Sequence, residues 1–148
     1  MLPADIRLSS PDEIAAIHHV WRASVDATHG FVAPEDIALY EKLLLTLYLP
    51  QKPQWLALTP DGATVQGFIG LSGPKIDALF VHPDWHRKGV GRRLIDKAVS
   101  LNPHLLVDVN SQNPGAVEFY AALGFIEVGR SPVDHAGKPY PLIHMARV

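Results

Sequence analysis

Apolar positions Ile14, Ile17, Trp21 and Val25 recur at intervals of three and four, the repeat of a helix that buries one face. Ser10-Pro11-Asp12-Glu13, just ahead, supplies a capping residue, a first-turn proline and two acids suited to a helix start. Ala4 to Leu8 reads as a short strand before it. A second helix is predicted from Pro34, with Ile37, Tyr40, Leu44 and Leu47 on one face and Pro50 as its end. From residue 54 the pattern shortens. Gln54 to Thr59 and Thr64 to Leu71 are apolar, strand-like runs joined by the turn signal Pro60-Asp61-Gly62, and Gly73-Pro74 leads into a third strand, Lys75 to Val81.

Beyond Val81 the chain turns polar and glycine-bearing, and Arg92 to Ser100 looks helical. Leu105 to Val109 is a buried-type strand, Asn113-Pro114 opens a helix through Leu123, and Gly124 stands where a helix end favours a left-handed residue. Phe125 to Arg130 and Leu142 to Arg147 close the chain as strands. The predicted order is β α α β β β α β α β β, a mixed α/β sheet of about seven strands with helices to cover both faces.

Composition narrows the class. A chain of 148 residues with 47% hydrophobic and 19% charged residues is sized for one folded domain, here residues 1–148. A net charge of −2 gives no attraction to nucleic acid or to an anionic membrane, so neither is expected as a partner. With no cysteine, disulfides, thiolate metal sites and an acyl-cysteine mechanism are all excluded. The first ten residues lack the basic start and apolar run of a secretory signal, and a cytoplasmic protein is expected.

Chemistry first shows in Val81-His82-Pro83-Asp84-Trp85-His86-Arg87-Lys88-Gly89-Val90-Gly91-Arg92. A strand ends, a glycine-bearing loop follows and a helix begins. Such a loop lets the backbone approach a ligand and aims the free amides of the first helical turn at it, which suits a pyrophosphate. Arg87, Lys88 and Arg92 add cations at the rim. A glycine pair before a helix is also compatible with an ordinary loop and a solvated basic helix end.

The spacing resembles the acyl-CoA signature of the GNAT superfamily of N-acetyltransferases, V-x-P-x-x-[QR]-x-x-G-x-[GA], with Val81, Pro83, Gly89 and Gly91 matching. His86 stands where that family usually has Gln or Arg, and Arg87 where glycine is common. Asn113 to Phe125 resembles the family's later signature, N-x-x-A-x-x-F-Y-x-x-x-G-F, at every fixed position. Asn113 and Tyr120 lie seven residues apart, two turns along one helix face. Read without the family, Asn113 is a cap and Tyr120 a half-buried core phenol.

The resemblance implies a GNAT-like fold and transfer of an acetyl group from acetyl-CoA directly to an amine, small or peptidic, through a ternary complex. It implies that Leu79, Phe80, Val81, His86, Arg87, Lys88, Gly89, Val90, Gly91, Arg92, Asn113 and Tyr120 bind the cofactor, without a metal. It places an oxyanion-stabilising amide near Leu79 and Phe80, and Tyr120 beside the thioester sulfur as proton donor. His29, in the loop where the family builds its acceptor pocket, and Asp77, on the strand before the pyrophosphate loop, are the candidate bases. Asp134, His135 and Tyr140 border the acceptor side, or Gly137 to Pro141 is simply a rigid turn.

Rival readings fare less well. His82 and His86 are four apart, but Pro83 argues against a helix aligning them on a metal. Asp108 imitates the ribose-binding acid of a dinucleotide fold, yet Leu94 fills the third glycine position. No G-x-S-x-G occurs, which argues against a serine hydrolase. The non-enzyme alternative is an acyl-CoA-responsive regulatory protein that kept the cofactor groove and lost transfer. Monomer and homodimer both remain open.

Overall fold

A computed structural model describes residues 6–148. Ala4 and Asp5 of the expected first strand lie outside the described residues. The elements are β1 (Ile6–Leu8), α1 (Ile14–Thr28), α2 (Pro34–Leu43), β2 (Trp55–Leu58), β3 (Val65–Ser72), β4 (Lys75–Val81), α3 (Val90–Leu101), β5 (Leu105–Asn110), α4 (Pro114–Ala122), β6 (Ile126–Ser131) and β7 (Leu142–Arg147). Their order is the one the sequence predicts, and the strands form a seven-stranded mixed sheet in the order β1-β2-β3-β4-β5-β7-β6. The chain divides into two compact units, one running to Leu71 and adding Asp77–Lys97, the other Ser72–Ile76 with Ala98–Val148.

The first unit is built around the predicted helix face. Ile17, Trp21 and Val25 of α1 are buried with Leu56, Leu58 and Phe68 of β2 and β3, and Ile14, Ile37 and Tyr40 pack against them. The start of α1 is set by Ser10 and Glu13, where the Ser10 amide donates to the Glu13 carboxylate at 2.9 Å. Arg7 bridges the same carboxylate at 2.8 Å, and this hydrogen bond draws the Glu13 pKa down to about 2. The β2–β3 turn closes as expected, with Gly62 at φ +73°.

One position departs from the expected pattern. The spacing puts Leu47 with Ile37, Tyr40 and Leu44 on one helix face, but it is 57% exposed. The reason is local: α2 gives way to a π-helical turn over Leu44–Tyr48, whose wider winding carries Leu47 off the buried stripe while Leu44 stays on it. The same turn brings Tyr48 to β3. Gly70 of that strand has no side chain, and a Cβ there would overlap the Tyr48 hydroxyl and the Gln54 side-chain amide.

In the second unit, β5 alternates as a strand with one buried face should, with Leu105, Val107 and Val109 inward and Leu106, Asp108 and Asn110 on the other side. It pairs in parallel with β4 at Lys75 and Ile76, and antiparallel with β7 along its whole length. β6 is the outer strand of the sheet, joined to β7 with an irregularity between Glu127 and Gly129. Ile126 and Val128 are exposed on it, and Arg130 grips Glu127 through two hydrogen bonds of 2.8 and 2.9 Å.

The crowding at Gly70 makes a direct test of the first unit's packing. Gly70→Ala should destabilise the protein by about 1–3 kcal/mol, seen as a lower urea midpoint with an unchanged slope.

Candidate active site

The glycine-bearing loop between β4 and α3 begins where β4 ends. The His82 amide donates to the Gln66 carbonyl of β3 at 2.9 Å, and Pro83–Trp85 then form a short 3₁₀ turn capped by the His82 ring, which accepts from the Asp84 amide at 3.1 Å. His86 folds back, its Nε2 on the Val81 carbonyl at 2.8 Å, so the imidazole braces the loop where the family more often carries Gln or Arg. Arg87 has φ +61° and Gly89 φ +80°, the left-handed values that turn the chain into α3.

Helix α3 starts at Val90, and its first backbone bond runs from the Arg93 amide to the Gly89 carbonyl at 3.0 Å. The amides of Val90, Gly91 and Arg92 precede that bond, and glycine at the cap brings no oxygen to satisfy them. They form a donor cluster at the positive end of the helix dipole, with exposed Arg87, Lys88 and Arg92 around it. Arg93 is spoken for by the Gln66 side chain at 2.8 Å. Val90 is buried, and the helix start sits close to β3 because residue 67 is glycine. A Cβ there would meet the Phe80 carbonyl at 2.8 Å and the Val81 and Val90 side chains at 3.2 Å.

In the second unit, Asn113 caps α4, its Oδ1 accepting the Ala116 amide at 3.2 Å. The cap occupies the oxygen, and the side-chain NH2 is the donor that remains. Tyr120, two turns on, is only 7% exposed, its ring edge-on to Phe119 and Phe125 with centroids 5.1 and 5.2 Å away. Burial pushes its phenol pKa above the ordinary value. Gly124 ends the helix at φ +94°, as its place after the aromatic pair predicts, and the Phe125 amide returns to the Tyr120 carbonyl at 3.1 Å.

The two candidate bases have different surroundings. His29 follows α1, with Nδ1 on the Thr28 hydroxyl at 2.7 Å and its ring 5.4 Å from Phe31 and 6.2 Å from Phe80. Burial lowers its pKa, which favours the neutral imidazole. Asp77 is exposed on β4 and accepts the Tyr48 hydroxyl at 3.2 Å. Leu79, Phe80 and Val81 are half-buried.

The loop before β7 is a braced turn. Asp134 Oδ1 accepts the Ala136 and Lys138 amides, both at 2.9 Å, Gly137 takes φ +77°, and Tyr140 is buried. His135 reaches out of the turn to Asp108 at 2.8 Å. That carboxylate also binds Lys75 and His144, and His144 binds Ser131. This polar row went unread in the sequence. Its one signal is His144, a lone polar residue in the apolar run Leu142-Ile143-His144-Met145.

Comparison with known proteins agrees with this architecture. A family profile described as "Acetyltransferase (GNAT) domain" matches residues 27–146. The peptidyl-lysine N-acetyltransferase YjaB of Escherichia coli K12 is 45% identical over 97% of this chain and 96% of its own length. The protein of that name from Salmonella typhimurium is 43% identical over 95% and 96%. The solution structure of apo-form YjaB from Escherichia coli superposes with a TM-score of 0.89 at 44% identity, covering 97% of this chain and 96% of that one. A structure of yncA from Salmonella typhimurium with acetyl-CoA, 20% identical over 95% of this chain and 91% of that one, shares the fold with a TM-score of 0.64. With a profile spanning most of its length and relatives that align almost end to end, the chain belongs to the GNAT acetyltransferase family and is an N-acetyltransferase.

Proposed function

We propose that the two units act together as one domain that moves the acetyl group of acetyl-CoA onto the ε-amine of lysine side chains in proteins or peptides, within the cytoplasm and by direct attack. The lysine acceptor rests on the YjaB relatives, which are named peptidyl-lysine N-acetyltransferases. The observation that carries the cofactor assignment is the set of three amides, Val90 to Arg92, that opens α3 behind a capping glycine. That donor set fits a diphosphate, and Arg87, Lys88 and Arg92 supply charge for it and for a further phosphate. Asn113 would hold the pantetheine arm through its side-chain NH2.

Acetyl-CoA supplies a thioester carbon open to a nucleophile. A lysine amine has an ordinary pKa near 10.4 and must lose a proton before it attacks. His29 is the better placed base, because burial keeps its imidazole neutral and ready to accept that proton. Asp77, already held by Tyr48, is the second candidate. An amide of β4 near Leu79 and Phe80 would steady negative charge on the carbonyl oxygen. Tyr120 keeps its proton, since burial raises its pKa, and would deliver it to the departing sulfur. Asp134, His135 and Tyr140 would border the acceptor. Neither nucleic acid nor a membrane enters this scheme, and monomer and homodimer serve it equally.

Tyr120→Phe should lower turnover about 10²-fold with acetyl-CoA affinity nearly unchanged, measured by thiol release and by calorimetry. Gly89→Ala has free space but the wrong backbone region, since φ is +80° there, so its main effect should be weaker acetyl-CoA binding, seen as a smaller ligand-induced rise in Tm. A panel of lysine peptides, peptide N-termini, polyamines and free amino acids tests the acceptor, and acetylation of every class except lysine peptides would reject it. For His29 the sign is set by the lowered pKa. The unfolded chain takes up the proton first, so stability is full above about pH 6.5 and falls as the pH drops below it. Denaturant midpoints between pH 7.5 and 5 should therefore fall further in the native protein than in His29→Gln.

A further inference from the structure

Three strands of the second unit carry one hydrogen-bonded row of side chains. His144 on β7 stands opposite Asp108 on β5 in the antiparallel register, and its Nδ1 lies 2.6 Å from Asp108 Oδ1. Ser131 on β6 is opposite Leu142, one step along the same face, and its hydroxyl lies 2.6 Å from His144 Nε2. Gly129, the β6 partner of His144, brings no side chain against the ring. The other oxygen of Asp108 is occupied by Lys75 at 2.5 Å and His135 at 2.8 Å, leaving Oδ1 to the imidazole.

The tautomer follows from these contacts. Burial works against the charge of Asp108, but the bonds from Lys75 and His144 outweigh it and hold the carboxyl below its ordinary pKa. An ionised Asp108 has only acceptors to offer, so His144 Nδ1–H donates to it, and in that tautomer the Nε2 lone pair faces the Ser131 hydroxyl. Carboxylate, imidazole and hydroxyl then stand in the roles of a nucleophilic serine centre, which is recognised by geometry rather than by chain order. Ser131 is half-buried and His144 keeps 30% of its side-chain surface, so a small reagent can reach the pair.

The geometry points to Ser131 as an activated nucleophile that accepts an acyl group from short-chain acyl esters, a chemistry separate from transfer to an amine. In the step, Ser131 Oγ bonds to the acyl carbon as the ester C–O bond breaks. The serine proton passes to His144 Nε2 and from there to the departing alkoxide, leaving acyl-Ser131 and a free alcohol. A water then attacks the acyl carbon and gives its proton to His144, which returns it to Ser131 as the acid leaves. Nothing in this step requires acetyl-CoA, so the inference stands or falls apart from the proposed lysine acetylation.

The full chain incubated with 4-nitrophenyl acetate should gain acetyl at Ser131, mapped by tandem mass spectrometry, and Ser131→Ala and His144→Gln should both lose it. The lack of native cysteine allows a second test, because Ser131→Cys introduces the sole thiol. An ordinary thiol titrates near pH 8.5 and is sluggish toward iodoacetamide at pH 6, whereas one paired with His144 should be alkylated at least about tenfold faster there than in the Ser131→Cys/His144→Gln double variant. Asp108→Asn in the Ser131→Cys background should move the pH profile of alkylation upward, as expected of a residue that positions the imidazole. An unmodified Ser131 in a protein that also releases 4-nitrophenol no faster than Ser131→Ala would overturn the inference, as would equal acetylation of that serine in His144→Gln or equal alkylation rates with and without His144.

Discussion

The loop between β4 and α3 depends on the room left by a missing side chain at position 67. A methyl group there would press on the Phe80 carbonyl and on the Val81 and Val90 side chains, which are the end of β4 and the start of α3. Without it, β3 can lie close beneath both, Val90 can be buried, and the first amides of α3 can be presented at a defined place. Placement matters for amides of this kind, since hydrogen bonds lose most of their value with poor distance or angle. Arg93, tied to Gln66 on the same strand, fastens the helix to the sheet.

Much of this was legible in the chain. The helix faces of α1 and most of α2, the Gly62 turn and the left-handed Gly124 all follow from spacing and backbone preference, because each is a local rule acting over a few residues. The two GNAT-like motifs were readable for a related reason. A cofactor gripped by backbone amides demands glycines and a helix start at set intervals, and intervals survive in a string of letters. Asn113 shows the limit even there, since the sequence allowed both a cap and a ligand donor, and the structure places its oxygen on the cap.

Features set by distant residues were not legible. The π-helical turn that exposes Leu47 has no local signature, and the crowding at Gly67 and Gly70 appears only when strands are adjacent. The row from Ser131 through His144 to Asp108 joins residues 13 and 36 positions apart, fixed by β6–β7 and β5–β7 register. The contact of the His86 imidazole with the Val81 carbonyl likewise depends on how the loop folds back on itself.

The outer strand β6 carries a consequence for life at high protein concentration. An open edge with exposed Ile126 and Val128 is a template onto which a further chain could add, the first step toward fibrous aggregates. The irregularity after Glu127 breaks the straight run of backbone groups, and the Glu127–Arg130 clasp lays charge across it. A newcomer strand would have to open that clasp and strip water from both ions before it could pair, so the edge discourages indiscriminate joining while remaining uncovered.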